Sequence, residues 1–153
     1  MMRPALAALL TSLLLCACGG QVVGDPGPSV EPGHLTLVAA PDRLSPGGTV
    51  HATVTVTGPA EYEAGCVQTV RLWVLDAQNQ RAWTEPAPEV TCMAIINKQL
   101  PAGQTATFQV DWPVAATLHP GRYTIHGLFL FTLAMGAATR VSENLPPAEV
   151  WLQ

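Results

Sequence analysis

The sequence predicts an all-β fold, an immunoglobulin-like antiparallel β-sandwich of about seven to nine strands. Three observations predict it. Apolar and polar residues alternate with a period of two along several short runs, and clusters of Gly, Pro, Asp and Asn separate the runs. No stretch past residue 33 keeps a helical period. With 13 Gly, 14 Pro and 12% charged residues among 153, the composition suits one turn-rich sheet domain rather than a helix bundle or two domains.

The elements follow in chain order. From His34 to Ala40, Leu35, Leu37 and Ala39 alternate with polar or small neighbours, and PDRLSPGG turns the chain. In VHATVTVTG, Val50, Ala52, Val54 and Val56 form an apolar face against His51, Thr53, Thr55 and Thr57, the pattern of a half-buried strand. GPAEYEAG, Gly58 to Gly65, reads as an acidic loop. Cys66 to Asp76 is a strand with Val70, Leu72 and Val74 on one side and Arg71 and Trp73 on the other. AQNQ then turns into RAWT, Arg81 to Thr84, and a further run extends from Val90 to Leu100 after the Glu85 to Glu89 loop. TATFQVDW places Ala106, Phe108, Val110 and Trp112 on one face. HPGR leads into Tyr123 to Leu133, and Pro146 and Pro147, which cannot donate to a ladder, mark the entry to a last strand from Ala148 to Gln153. Gly127 to Ala138, GLFLFTLAMGAA, is apolar on both faces, as a central strand and its hairpin partner would be; an exposed patch near Met135 is the alternative.

The first 33 residues are of a different kind. Arg3 precedes an apolar run of about a dozen residues, the size of a secretory signal core and short of the ~20 that span a bilayer. LCAC, Leu15 to Cys18, resembles the lipobox of bacterial lipoproteins, with Leu15 three positions before Cys18 and the small Ala17 just before it. The resemblance implies cleavage after residue 17, a diacylglycerol thioether and usually an N-acyl chain on Cys18, and palmitate among the attached acids. One chain holds a protein only marginally; two or more hold it stably. The organisation expected is a signal peptide over 1–17, a lipidated Cys18 with a flexible Gly- and Pro-rich tether over 18–33, and the sandwich over 34–153. Plain secretion and a metal-binding cysteine pair are the other readings of the same residues. Cys66 and Cys92 then remain, and in an oxidising compartment they are expected to form a disulfide worth about 3–4 kcal/mol for a loop of about 27 residues; two free thiols are the alternative.

Chemistry is sparse. Past the tether the serines are Ser45 and Ser142, both in expected loops, and no nucleophile elbow is present. His34, His51, His119 and His126 have no ligand spacing, so no metal site and no cofactor are expected. Glu61 and Glu63, two apart beside Tyr62, would be half of a carboxylate site or a solvated loop. The expectation is not an enzyme. The formal net charge of -4 becomes -5 once Arg3 is removed, which offers no electrostatic footprint for nucleic acid or an anionic bilayer surface.

VRLWVLDAQNQRAW, LPAGQTATFQVDW and LHPGRYTIHG resemble the bacterial intracellular proteinase inhibitor (BsuPI) family, an immunoglobulin-like sandwich. Asp76, Trp83, Pro101, Gly103, Trp112, Pro120, Gly121, Tyr123 and Gly127 would occupy its turn and core positions, and Tyr123 resembles a corner tyrosine whose hydroxyl bonds nearby backbone. Turn residues and buried aromatics specify a fold rather than an activity. The function expected is therefore that of a lipid-anchored, extracytoplasmic protein of the bacterial cell envelope, at the outer membrane if the cell has one. It would be a non-catalytic protein-interaction module whose partner is an envelope protein, with Glu61, Tyr62, Glu63 and Met135 as candidate contacts. A proteinase inhibitor, or a small-ligand or carbohydrate binder using Trp73 as a stacking platform, are the alternatives.

Overall fold

The computed structural model describes residues 35–65, 67–88, 95–133 and 139–153. Cys18, Cys66, Cys92 and Met135 lie outside them. Among the described residues the chain is all strand and turn: β1 (Leu35–Ala40), β2 (Arg43–Leu44), β3 (Thr49–Thr57), β4 (Ala60–Gly65), β5 (Val70–Leu75), β6 (Arg81–Thr84), β7 (Ile95–Leu100), β8 (Thr105–Pro113), β9 (Gly121–Leu133), β10 (Thr139–Asn144) and β11 (Ala148–Leu152).

Two sheets form an immunoglobulin-like sandwich. One has the order β1-β3-β8, the other β2-β11-β9-β5-β6, and every pairing is antiparallel except β2 with β11. The first strand changes sheets between Ala40 and Arg43, so β1 belongs to one layer and the two-residue β2 to the other. Sequence reading takes PDRLSPGG as a turn alone, because a two-residue strand is too short to show a period.

The period-two pattern sorts the faces as expected. Val50, Ala52, Val54 and Val56 are buried, as are Val70, Leu72 and Val74 across the interface, while His51 and Arg71 face solvent. Aromatic rings bridge the layers at both ends. Trp112 of β8 lies 5.9 Å from Tyr123 of β9, and Phe108 of β8 lies 6.0 Å from Phe129 of β9. Such pairs add about 0.5–1.5 kcal/mol to the burial of their area.

β9 is the spine of its sheet. β5 pairs with one edge, from Val70↔Phe129 to Leu75↔Thr124; β11 takes the start of the other edge and β10 its continuation, from Leu128 to Leu133. The hairpin partner of the apolar run is thus Thr139–Asn144, later in the chain than the Gly127 to Ala138 segment itself implies. At Gly127 a Cβ would meet the side-chain tips of Leu72 and Leu145, which would have to shift to admit it.

The turns are built as the residues dictate. The Asp76 carboxylate accepts from the amides of Gln78 and Gln80 at 2.9 and 2.8 Å, and Asn79 takes φ 60°, the left-handed position that Asn tolerates. The Tyr123 hydroxyl donates to the His119 carbonyl at 2.9 Å, which is the corner expected of it.

The expected loop from Gly58 to Gly65 is instead a strand. β4 pairs antiparallel with β7 from Ala60↔Leu100 to Gly65↔Ile95. Along the chain, β4 joins β3 of one layer to β5 of the other, and β7 joins β6 back to β8, so this ribbon straps the two sheets together. Gly58 lets it start: its amide donates to the Gln104 carbonyl at 2.8 Å, and a Cβ there would collide with the backbone oxygens of Leu100 and Pro101. Backbone cannot step aside as a side-chain tip can. Gly58→Ala is expected to cost about 1–3 kcal/mol by overpacking, read as a lower denaturant midpoint with an unchanged slope.

Candidate functional site

The ribbon holds three of the candidate contact residues. On β4, Ala60, Tyr62 and Ala64 alternate with Glu61 and Glu63, so the two carboxylates share one side and the ring takes the other. Tyr62 points into the molecule. Its ring makes edge contacts with Phe108 at 5.5 Å and Phe129 at 6.0 Å, one from each layer. Glu61 sits opposite Gln99 and Glu63 opposite Asn97, which gives the outward side of the ribbon a row of carboxylates and amides. The Glu63 carbonyl accepts from the Thr69 hydroxyl at 2.6 Å, holding the strand's exit toward β5. Ile96, 49% exposed, is an apolar residue on the partner strand. Where the ribbon meets the body, a cleft of about 370 Å³ is lined by Pro59, Ala60, Glu61, Gln99, Leu100 and Pro101.

Tyr62 is therefore a packing residue, and Glu61 is a surface one. The signal for this lies in the sequence: AEYEA alternates as a half-buried strand does, but its carboxylates outweigh two alanines and a tyrosine in hydropathy. Glu85, in the other candidate loop, is also structural. Its carboxylate accepts from the Leu72 amide at 2.9 Å and its amide donates to the Leu72 carbonyl at 3.0 Å, prolonging the β5–β6 pairing.

Trp73 lies on the outer face of the β5–β9 sheet, as expected from its parity, yet it is not a free platform. His126, its register partner on β9, stacks on the indole at 6.0 Å and 11°. From the β6 side the Arg81 guanidinium sits 5.4 Å from the indole centroid. The neighbours on both flanking strands cover the ring, and a sugar would have to displace one of them.

The remaining polar residues stay apart. His51 and Asp111 are register partners on β3 and β8 and meet at 2.7 Å on an exposed face. Among the described residues no group of three or more His, Cys, Asp and Glu side chains is placed to hold a metal ion. Ser45 and Ser142 are both exposed; Ser142 is on β10 rather than in the loop expected of it. Sequence reading misses one gathering: Arg43, Arg71, Arg81 and Arg122, far apart along the chain, all stand on the outer face of the five-strand path.

No protein-family model matches the chain, and no curated protein sequence matches it. Among solved structures, the chain is similar to the alkylpurine DNA glycosylase AlkC of Pseudomonas fluorescens, solved bound to DNA with an abasic-site analog. The TM-score is 0.44 at 17% identity over 78% of this chain and 30% of that one. It is also similar to the sporulation control protein Spo0M of Bacillus subtilis, with a TM-score of 0.37 at 11% identity over 72% of this chain and 47% of that one. The chain thus spans less than half the length of either.

The ribbon's two sides give opposite expectations. Tyr62→Ala removes a ring packed on both layers and should lower stability by about 2–4 kcal/mol, whereas Glu61→Gln should change it by no more than about 0.5 kcal/mol. Equilibrium unfolding of the two variants measures the contrast.

Proposed function

We propose that this protein is a membrane-anchored, extracytoplasmic lipoprotein whose sandwich works as a non-catalytic protein-interaction module. The observation that carries the reading is LCAC at Leu15 to Cys18, where leucine and alanine hold the positions that a lipoprotein signal peptidase reads and the sulfur becomes the lipid attachment point. The apolar run before it supplies the export signal, and the Gly- and Pro-rich residues after it supply a spacer.

Within the domain we assign protein contact to the outward side of the β4–β7 ribbon. Glu61, Asn97 and Gln99 offer hydrogen-bonding groups on a strap whose other side is pinned by Tyr62. A stiff polar surface of this kind limits the side-chain entropy lost on binding. Inhibition of a proteinase draws less support. Asp76, Trp112, Tyr123 and Gly127, four of the positions that carry the resemblance to the inhibitor family, are accounted for by a turn, the core, a corner and a close strand contact. Carbohydrate stacking on Trp73 is disfavoured by His126 and Arg81 against its ring.

Protein made in a bacterium and purified from its membranes should begin at residue 18 and carry diacylglycerol on that sulfur, as read by the mass of its N-terminal peptide. Cys18→Ser should abolish the modification. A native chain starting at Met1 or Met2 with a free thiol at Cys18 would contradict the proposal.

A further inference from the structure

Arg71 on β5 lies opposite Leu128 of β9, and Arg122 of β9 lies opposite Trp151 of β11, whose parallel partner on β2 is Arg43. Between these two ends of the face stands the Arg81–Trp73–His126 stack. Glu149, on the same face, is bound to Arg122 at 3.3 Å. Asp76 and Glu85, at the rim, are held by backbone amides, and Asp42 precedes Arg43 at the sheet edge. Arg43 and Arg71 have no ion pair among the described residues.

On a chain whose formal charge is -4, the face itself carries four arginines against Glu149, and Asp42, Asp76 and Glu85 keep their negative charge at its rim. Whether a partner feels the whole chain or the face depends on screening. At physiological ionic strength exposed charges are screened beyond about 8 Å, and two packed sheets are themselves about 10 Å apart. Asp111, on the outer face of the opposite layer, is beyond that range from anything resting on the arginines. On the face itself arginine outnumbers carboxylate.

The residues between the arginines select the partner. Leu75, Leu128 and Leu130 are half-buried on this face, and Trp151 is 45% exposed between Arg43 and Arg122. A soluble polyanion would use the guanidiniums alone. A bilayer interface uses both kinds of group, since phosphates meet the guanidiniums while indole and leucine sit at the headgroup boundary. We propose that the outer face of the β2-β11-β9-β5-β6 sheet lies on the anionic headgroup layer of the bilayer that holds the acyl chains. This rests on the lipoprotein reading for its reach, because the spacer after Cys18 extends to roughly 45 Å. It also leaves the opposite layer turned to the periplasmic or external side.

The test uses the full chain as purified from membranes, in vesicles of phosphatidylcholine alone or mixed with phosphatidylglycerol. Tryptophan quenching by lipids brominated near the headgroup reads the face, with Trp151→Phe to assign the signal. Each arginine at an anionic surface is worth roughly a fivefold change in partitioning. Quenching should therefore appear with phosphatidylglycerol and fall at least about tenfold in Arg43→Glu/Arg71→Glu. Both sites are exposed, circular dichroism checks that the variant is folded, and added salt should reproduce its effect on the wild type. Equal quenching in both vesicle types, indifferent to charge reversal and salt, would overturn the proposal. So would quenching absent from both types while a soluble polyuronate binds the face. Flotation in high salt reads the anchor separately. Protein that floats without phosphatidylglycerol-dependent quenching refutes the docking face and keeps the lipoprotein reading. Protein that leaves the vesicles in salt, yet needs Arg43 and Arg71 for quenching, does the reverse.

Discussion

The structure depends on aromatic rings meeting across the gap between two small sheets. Phe129, fully buried on β9, touches Phe108 of the opposite layer, Tyr62 of the ribbon and its own neighbour Phe131, so three sheets converge on one side chain. At the other end Trp112 and Tyr123 close the same gap. Between them valine is the commonest fully buried residue, with Val50, Val54, Val56, Val74 and Val150 beside Leu72 and Ile125. β-Branched residues fill a pleated face well but are short, and the gap of about 10 Å needs larger groups at its ends. Once the rings are placed, β4 has to be a strand, because only an extended backbone carries Tyr62 inward and Glu61 and Glu63 outward in successive residues.

Much of this was legible in the sequence, for a physical reason. A strand with one wet and one dry face writes its register as an alternation, and β1, β3, β5, β8 and β11 carry it. β4 carries it too, in Ala60, Tyr62 and Ala64, but two of its inward residues are alanines and its outward ones are charged, so hydropathy favours a loop. β2 is too short for any period. The partner of β9 was not placed, because the apolar run from Gly127 to Ala138 reads as containing its own hairpin, whereas the pairing strand is Thr139–Asn144. Cysteine pairing between Cys66 and Cys92, and the neighbourhood of Met135, fall outside the described residues.

The proposed membrane face was less legible because its residues are brought together only by strand order. Arg43, Arg71, Arg81 and Arg122 look scattered in the chain and support no reading of charge beyond the net value. The order β2-β11-β9-β5-β6 puts them side by side and inserts Trp73, Trp151 and the leucines among them. Conversely Trp73, which the sequence offers as a platform, is occupied on both sides by neighbours that no local pattern announces. The two layers therefore differ in what they show to solvent. The β1-β3-β8 layer presents threonines with one His51–Asp111 pair, and the larger layer presents arginine and indole. If the domain is anchored as proposed, the larger layer is the side suited to the bilayer and the ribbon is left to meet a protein.

The claim on which the rest stands is that Tyr62 ties the ribbon to both layers through Phe108 and Phe129. Proton–proton Overhauser contacts from the Tyr62 ring, measured on the isotopically labelled protein, test it directly. The account predicts cross-peaks from that one ring to both Phe108 and Phe129. A Tyr62 ring that shows neither, with the shifts of a solvent-exposed tyrosine, would contradict it.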